Sequence, residues 1–173
     1  MEIKSGDEIA FRRVYDELFP VLMKVVYHIT YNQDVAEDIC QDAFIRFYDQ
    51  DIVFPSMDDA KFWLIRVGKN LAINHVKRKS REAASIEKLM KNPVNNSYGD
   101  APSELLSRES TQAVRKAIAQ LPEIYKTVIV LREYGDLNYK DIGKVLKISE
   151  TNVKVRVHRA RKELEKLLNL EEV

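Results

Sequence analysis

The sequence predicts an all-α fold made of two small helical domains joined by a linker, the C-terminal one a helix-turn-helix. Three observations carry this. Only five glycines and five prolines occur in 173 residues, so few turns are forced on the chain. Apolar residues recur at three- and four-residue steps along most of it, whereas strand-like alternation is sparse. Finally, the stretch Tyr139–Leu168 reads as two helices around a tight turn, the second with a wholly basic polar face. The expected division is an N-terminal domain over 1–84, a linker over 85–103 and a C-terminal domain over 104–173.

The first helix is expected over Asp7–Thr30, where Phe11, Val14, Tyr15, Leu18, Leu22, Val25, Val26 and Ile29 share one face, and Pro20 predicts a kink or a break. Asn32 or Asp34 starts a second helix with Ala36, Ile39, Cys40, Ala43, Phe44 and Phe47 on its apolar side. Cys40 sits there as a small core residue. Periodicity is lost over Asp51–Ser56, and Ser56 followed three residues later by Asp59 resembles a capping box that opens a third helix, expected to end near Arg81.

In that third helix Phe62, Ile65, Leu71, Ala72 and Val76 supply the apolar contacts. Trp63, Arg66, Asn70, Asn74 and Lys77 follow one another at three- and four-residue steps on another face. An aromatic ring, two amides and several bases so placed suit stacking on unpaired bases and neutralising phosphates. The plainer reading puts Trp63 in the core and leaves the amides solvated, and the residues alone do not separate the two.

Regularity fades from Ala84 to Ser103, where Asn92-Pro93, Asn95-Asn96-Ser97, Gly99 and Ala101-Pro102 cluster, as in a linker. Ser103 is expected to cap a helix bearing Leu105, Ala113, Val114, Ala117, Ile118 and Leu121. Another begins at Pro122 and ends at Gly135. Asn138 then caps a short helix with Ile142, Val145 and Leu146, and Ser149 caps a long one. In the long helix Val153, Val157, Ala160, Leu164 and Leu167 form the buried stripe, Lys154, His158, Arg161 and Lys162 lie on an adjoining face flanked by Arg156 and Arg159, and no acid occurs between Thr151 and Lys162. This is the pattern of a recognition helix for the DNA major groove. A solvated basic face is the bland alternative, but the short first helix and the two cap signals favour DNA binding. His158 is one of three widely separated histidines, which fits a contact to phosphate or base rather than a metal site.

Net charge is +1, but its distribution is informative. Between Tyr31 and Asp59 eight acids face the single base Arg46, and between Ala60 and Arg81 seven bases face no acid. Such segregation predicts two surfaces with different partners, one of them a polyanion. The lone Cys40 excludes an intrachain disulfide and a thiolate metal cluster. A polar, acidic N-terminus and the lack of a membrane-length apolar run predict a soluble cytoplasmic protein with no membrane insertion. No phosphate loop, spaced metal-ligand set or nucleophile elbow occurs, so neither enzymatic activity nor a cofactor is expected.

Taken together, Ala36-Glu37-Asp38-Ile39-Cys40-Gln41-Asp42-Ala43-Phe44, Phe62-Trp63-Leu64-Ile65-Arg66-Val67-Gly68-Lys69-Asn70-Leu71-Ala72, and Leu121-Pro122-Glu123 through Val153–Arg161 resemble a bacterial RNA polymerase sigma factor of the extracytoplasmic-function (ECF) group. The resemblance extends from about Phe11 to Leu168. It implies promoter-specific transcription initiation, with core RNA polymerase and promoter DNA as partners and an anti-sigma factor as a further one. It places Asp38, Gln41 and Asp42 against the β′ clamp of the core enzyme. The minus-ten element falls to the loop Ile52–Asp59 and to Trp63, Arg66, Asn70 and Asn74, with Lys77, Arg78 and Lys79 near the DNA backbone. The minus-thirty-five element falls to Lys154, Arg156, His158, Arg159 and Arg161. Asn74-His75-Val76-Lys77 stands where many members carry Asp-x-Leu-Arg, and His158 where an apolar or aromatic residue is frequent, so base preference is expected to differ.

The competing class is a dimeric helix-turn-helix transcriptional regulator with an N-terminal signalling domain, which would need a pocket or a phosphoacceptor in its first half. A third class, a helical protein that binds another sigma factor, has little use for a basic recognition helix.

Overall fold

Short polar side chains set the ends of the first two helices. In the computed structural model, which describes residues 2–90 and 108–171, helix α1 spans Glu8–Thr30 and the Asp7 carboxylate accepts the Ala10 N–H at 2.8 Å. The helix runs through Pro20 without a break. Pro20 and Asp16, whose carbonyl loses its intrahelical donor, are both exposed on the side away from the core, so the freed oxygen is not buried without a partner. Tyr31 takes the left-handed conformation (φ 51°) and ends α1, its N–H donating to Tyr27 at 2.6 Å. Asn32 at once caps helix α2, Gln33–Asp49, through the Val35 N–H at 3.0 Å. Asn32, rather than Asp34, is therefore the start signal.

Helix α3 covers Met57–Met90. Ser56 Oγ accepts the Asp59 N–H at 3.2 Å and donates to the Asp59 carboxylate at 2.7 Å, which makes the expected capping box. Val14, Leu22, Val25, Phe44, Phe47, Leu64 and Ile65 are essentially sealed from solvent, each contributing about 1.5–3 kcal/mol by leaving water. Gly68 fixes the approach of α3 to α1: a Cβ there would stand 2.7 Å from Leu22 Cδ1 and 3.2 Å from Val26 Cγ2. Cys40 is buried, with its Sγ 3.9 Å from Met23 Sδ. Burial, reinforced by the nearby Glu37 carboxylate, pushes its thiol up to about 12, so the sulfur is neutral filling.

Two features differ from expectation. Helix α3 does not stop near Arg81 but continues to Met90, because Glu82–Met90 contains good helix formers and neither glycine nor proline. The signal there is propensity without a sustained apolar stripe. Of the expected linker, 85–90 is thus helical, while 91–103, with Ser103 and Leu105, lies outside the described residues. The second feature is a small antiparallel sheet, β1 (Ile3–Lys4) with β2 (Val53–Phe54), in which Ile3 pairs with Phe54 and Lys4 with Val53. The buried Ser5 extends it: its N–H donates to Ile52 O at 3.0 Å and its Oγ accepts the Ile52 N–H at 3.2 Å. The N-terminus is thereby tied to the segment before α3.

The chain divides into two compact units, Met1–Gly99 and Asp100–Val173. In the second, α4 (Arg108–Gln120), α5 (Glu123–Tyr134), α6 (Tyr139–Leu146) and α7 (Glu150–Glu171) enclose Ala117, Val128, Leu131, Leu137, Ile142, Val153 and Ala160. Pro122 caps α5 from the preceding turn, and the Leu121 N–H donates to Ile118 O at 3.2 Å.

Replacing Ser5 with alanine leaves the part-buried Ile52 N–H facing a methyl group, a loss of about 1–1.5 kcal/mol. The expected outcome is amide exchange over Ile52–Phe54 faster by on the order of tenfold, with Val25 in α1 unchanged. Unchanged exchange at Ile52 would show that the backbone pairing alone holds the segment.

Candidate polymerase and nucleic-acid interfaces

Because Ala36, Ile39, Cys40, Ala43, Phe44 and Phe47 turn inward, α2 must present Asp38, Gln41 and Asp42 outward. Asp38 and Gln41 are exposed, and Asp42 is half-buried, paired with Arg46 at 3.0 Å. That pair is itself solvent-exposed and contributes little, so a competing cation can displace Arg46. The same face continues into two residues that patterning did not single out: Ile45, 59% exposed, and Tyr48, 43% exposed. The steps 38, 41, 45 and 48 form one ridge, acidic at its start and apolar at its end. The available signal was an isoleucine that falls outside the buried stripe of its own helix.

On α3 the structure brings Trp63, Arg66, Asn70, Asn74 and Lys77 onto one side, within about 80° of arc at 100° per residue. Asn70, Asn74 and Lys77 are exposed and Arg66 is half-buried. Lys79 lies about 160–200° from Lys77, on the far side of the helix, and Arg78 sits between them with Glu82 3.8 Å away. Trp63 divides between the two readings of it. It is half-buried, with its ring edge-on to Phe47 at 5.8 Å and to Phe54 at 6.1 Å, while Phe47 and Phe54 stack at 5.2 Å. The indole therefore anchors the segment before α3 and still reaches the surface. Within Ile52–Asp59, Val53–Phe54 is strand, Ser56 is the cap and Met57–Asp59 already belong to the first turn of α3. Phe54 is buried, while Ile52 and Val53 face solvent.

The helix-turn-helix forms from the two predicted caps. The Asn138 amide oxygen accepts the Asp141 N–H at 2.9 Å, and Ser149 Oγ accepts the Asn152 N–H at 3.1 Å. Between them Lys147 ends α6 in the left-handed conformation (φ 56°), and the Ile148 N–H donates to Gly143 O at 3.0 Å. The turn is so close that a Cβ on Gly143 would stand 2.8 Å from the Ile148 carbonyl oxygen. Arg132 braces the previous connection, donating to Leu137 O at 3.2 Å with its guanidinium carbon 5.2 Å from the centre of the Tyr139 ring.

Helix α7 buries Val153, Val157 and Ala160, which points Thr151, Val155, His158, Arg159 and Lys162 away from the core. Lys154 and Arg161 border this outward face, Lys154 meeting Glu150 at 2.9 Å. Arg156 is turned toward the flank: it is half-buried, and its Nε donates to Asn152 Oδ1 at 2.9 Å. It stands apart from the other four predicted contacts. Among the described residues no group of His, Cys, Asp and Glu could hold a metal ion, and no helix is long and apolar enough to cross a membrane.

Comparison with known proteins accounts for both units. Sigma-70 region 2 matches residues 14–82 and Sigma-70 region 4 matches residues 111–164. The ECF RNA polymerase sigma factor SigW of Bacillus subtilis (strain 168) is 33% identical over 174 residues, covering 96% of this chain and 93% of SigW. The chain belongs to the ECF sigma factors of RNA polymerase. Two solved structures share the fold of this sigma factor. RpoE of Bartonella quintana, in complex with the anti-sigma factor NepR, has a TM-score of 0.71 at 22% identity and covers 92% of this chain and 96% of that one. CnrH, in complex with the cytosolic domain of CnrY, has a TM-score of 0.64 at 20% identity, covering 96% and 92%. The region 2 match encloses α2 and the basic face of α3, and the region 4 match encloses the whole helix-turn-helix turn.

Gly143→Ala in this sigma factor is expected to destabilise the second unit by about 1–3 kcal/mol, because the new methyl meets backbone that cannot rotate away. Exchange of the α6 and α7 amides measures it, with α1 as the internal control. Protection equal to the native chain would show that the turn relaxes at no cost.

Proposed function

We propose that this sigma factor connects core RNA polymerase to promoter DNA through three helix faces, one for each partner surface. The outward face of α2 docks on the β′ clamp, with Asp38, Gln41 and Asp42 meeting a basic or polar surface and Ile45 and Tyr48 covering an apolar one. The α3 face formed by Trp63, Arg66, Asn70 and Asn74, together with the Ile52–Asp59 segment, takes the unwound minus-ten element, with Lys77 and Arg78 at the phosphates. Lys79 is assigned to the backbone more distantly, since it leaves α3 on the other side. Helix α7 reads the duplex at the minus-thirty-five element through Lys154, His158, Arg159 and Arg161, and Arg156 supports from the flank. All of this is binding rather than bond-making, carried out in the cytoplasm where core enzyme works. An anti-sigma factor is a further partner, supported by the likeness to RpoE, which was solved with one.

The observation that carries this reading is the division of charge within one unit: an acidic, apolar-tipped face on α2 and a basic, amide-bearing face on the neighbouring α3. A dimeric regulator with a signalling domain has no use for that pair of surfaces, and the region 2 match falls where its signalling domain would have to be. Run-off transcription with core polymerase and genomic templates tests the whole reading. The expected result is initiation at defined start sites that depends on this chain, and its absence with a folded chain would overturn it.

Asp38→Arg combined with Ile45→Ala is expected to weaken core binding by at least tenfold, since a central interface residue is worth about 1–2 kcal/mol or more. Co-purification with core at the native yield would refute the α2 assignment. In the holoenzyme, Arg159→Ala should weaken minus-thirty-five binding by about 1–3 kcal/mol and reduce its salt slope. Asn70→Ala should instead alter permanganate reactivity at the minus-ten element and leave core binding intact. Identical footprints and salt slopes would remove those residues from the DNA surfaces.

A further inference from the structure

The outward face of α7 carries one residue whose chemistry differs from that of its neighbours. Val155 is 41% exposed, although Val153, Val157 and Ala160 on the same helix are sealed. A single exposed valine is ordinary on a protein surface. Its position is what distinguishes it. At 100° per residue Val155 lies within about 60° of Thr151, His158, Arg159 and Lys162, at the middle of the face opposite the buried stripe. All four are exposed. Lys154 and Arg161 border the ring, and the acid one turn before Lys154, Glu150, is tied to it at 2.9 Å.

An apolar group centred in a cationic ring fits a polyanion that offers an apolar group at the same depth. In the DNA major groove that group is the 5-methyl of thymine, the one apolar substituent displayed by any base edge there. Valine suits the task because its branched Cβ holds χ1 in one rotamer within a helix, so two methyl groups are presented with little conformational entropy left to lose. The guanidinium of Arg159 and the imidazole of His158, one turn further on, supply the polar contacts that fix register beside it.

We infer that Val155 is a specificity-determining residue that reads a thymine 5-methyl group in the minus-thirty-five element. This rests on the assignment of α7 to that element. The consequence is a preference at one base pair that is set by apolar contact and is independent of salt.

The test uses holoenzyme assembled from core polymerase and the full chain, on a promoter duplex enriched from a randomised pool by that holoenzyme. Each thymine of the upstream element is replaced in turn by deoxyuridine, which lacks only the methyl group. At one position the native chain should bind about fourfold more weakly, the equivalent of exposing one methyl. Val155→Ala, which is compatible with the helix, should show less than a twofold difference there while keeping the native salt slope. An upstream element without thymine, native binding insensitive to deoxyuridine everywhere, or an equal loss in Val155→Ala would each overturn the inference. The underlying assignment fails in a different way, by Arg159→Ala leaving affinity and salt slope unchanged, so the two failures are distinguishable.

Discussion

A helix packed on one side has one face to bury and one to offer, and in this sigma factor the buried contact decides which face is offered. In the first unit that contact is the close passage of α3 over α1 at Gly68, where any side chain would collide with Leu22 and Val26. With Phe62, Leu64 and Ile65 turned inward, the Trp63–Lys77 face must point out. The face that α3 offers therefore depends on a position inside the core. The same reasoning holds in the second unit, where Gly143 allows α6 and α7 to turn sharply and Val153, Val157 and Ala160 lock the rotation of α7.

Charge is then distributed over faces already fixed by packing. The ion pairs Asp42–Arg46, Lys154–Glu150 and Arg78–Glu82 are exposed pairs within a single helix, and each contributes a few tenths of a kcal/mol. They hold long side chains in place without binding them tightly, so a phosphate or a partner carboxylate displaces them at small cost. The acidic face of α2 and the basic face of α3 lie on adjacent helices of one unit, so a single folded body presents opposite signs on two faces. That arrangement discourages self-association less than a uniform charge would, but like-charge repulsion disfavours a polyanion at α2 and a basic surface at α3.

Aromatic packing links the fold to the segment that precedes α3. Phe47, Phe54 and Trp63 contact one another, and β1 pairs with β2 just before α3. The N-terminus, α2 and α3 thus converge on the residues that precede the basic face. A segment held in this way loses less entropy on engaging any ligand than a free loop would, so the two-residue sheet stiffens this edge of the first unit.

The sequence by itself determined whatever depends on neighbours within a turn or two of helix. The caps at Asn32, Ser56, Asn138 and Ser149, the buried stripes of α1, α2 and α7, and the basic side of α7 were all legible, because capping bonds and amphipathic periodicity are local. It also put Asn70 and Asn74 on one outward side of α3, whereas Arg159, expected at the flank of the basic face, stands on the outward face of α7. Tertiary structure alone decided the rest. The pairing of Ile3 with Phe54 joins residues some fifty positions apart, for which no local pattern exists. Trp63 became half anchor and half surface because Phe47 and Phe54 arrive from other elements. Ile45 and Val155 are apolar by sequence and exposed in the fold, since a residue's exposure is set by which elements pack around it and not by its own preference for water.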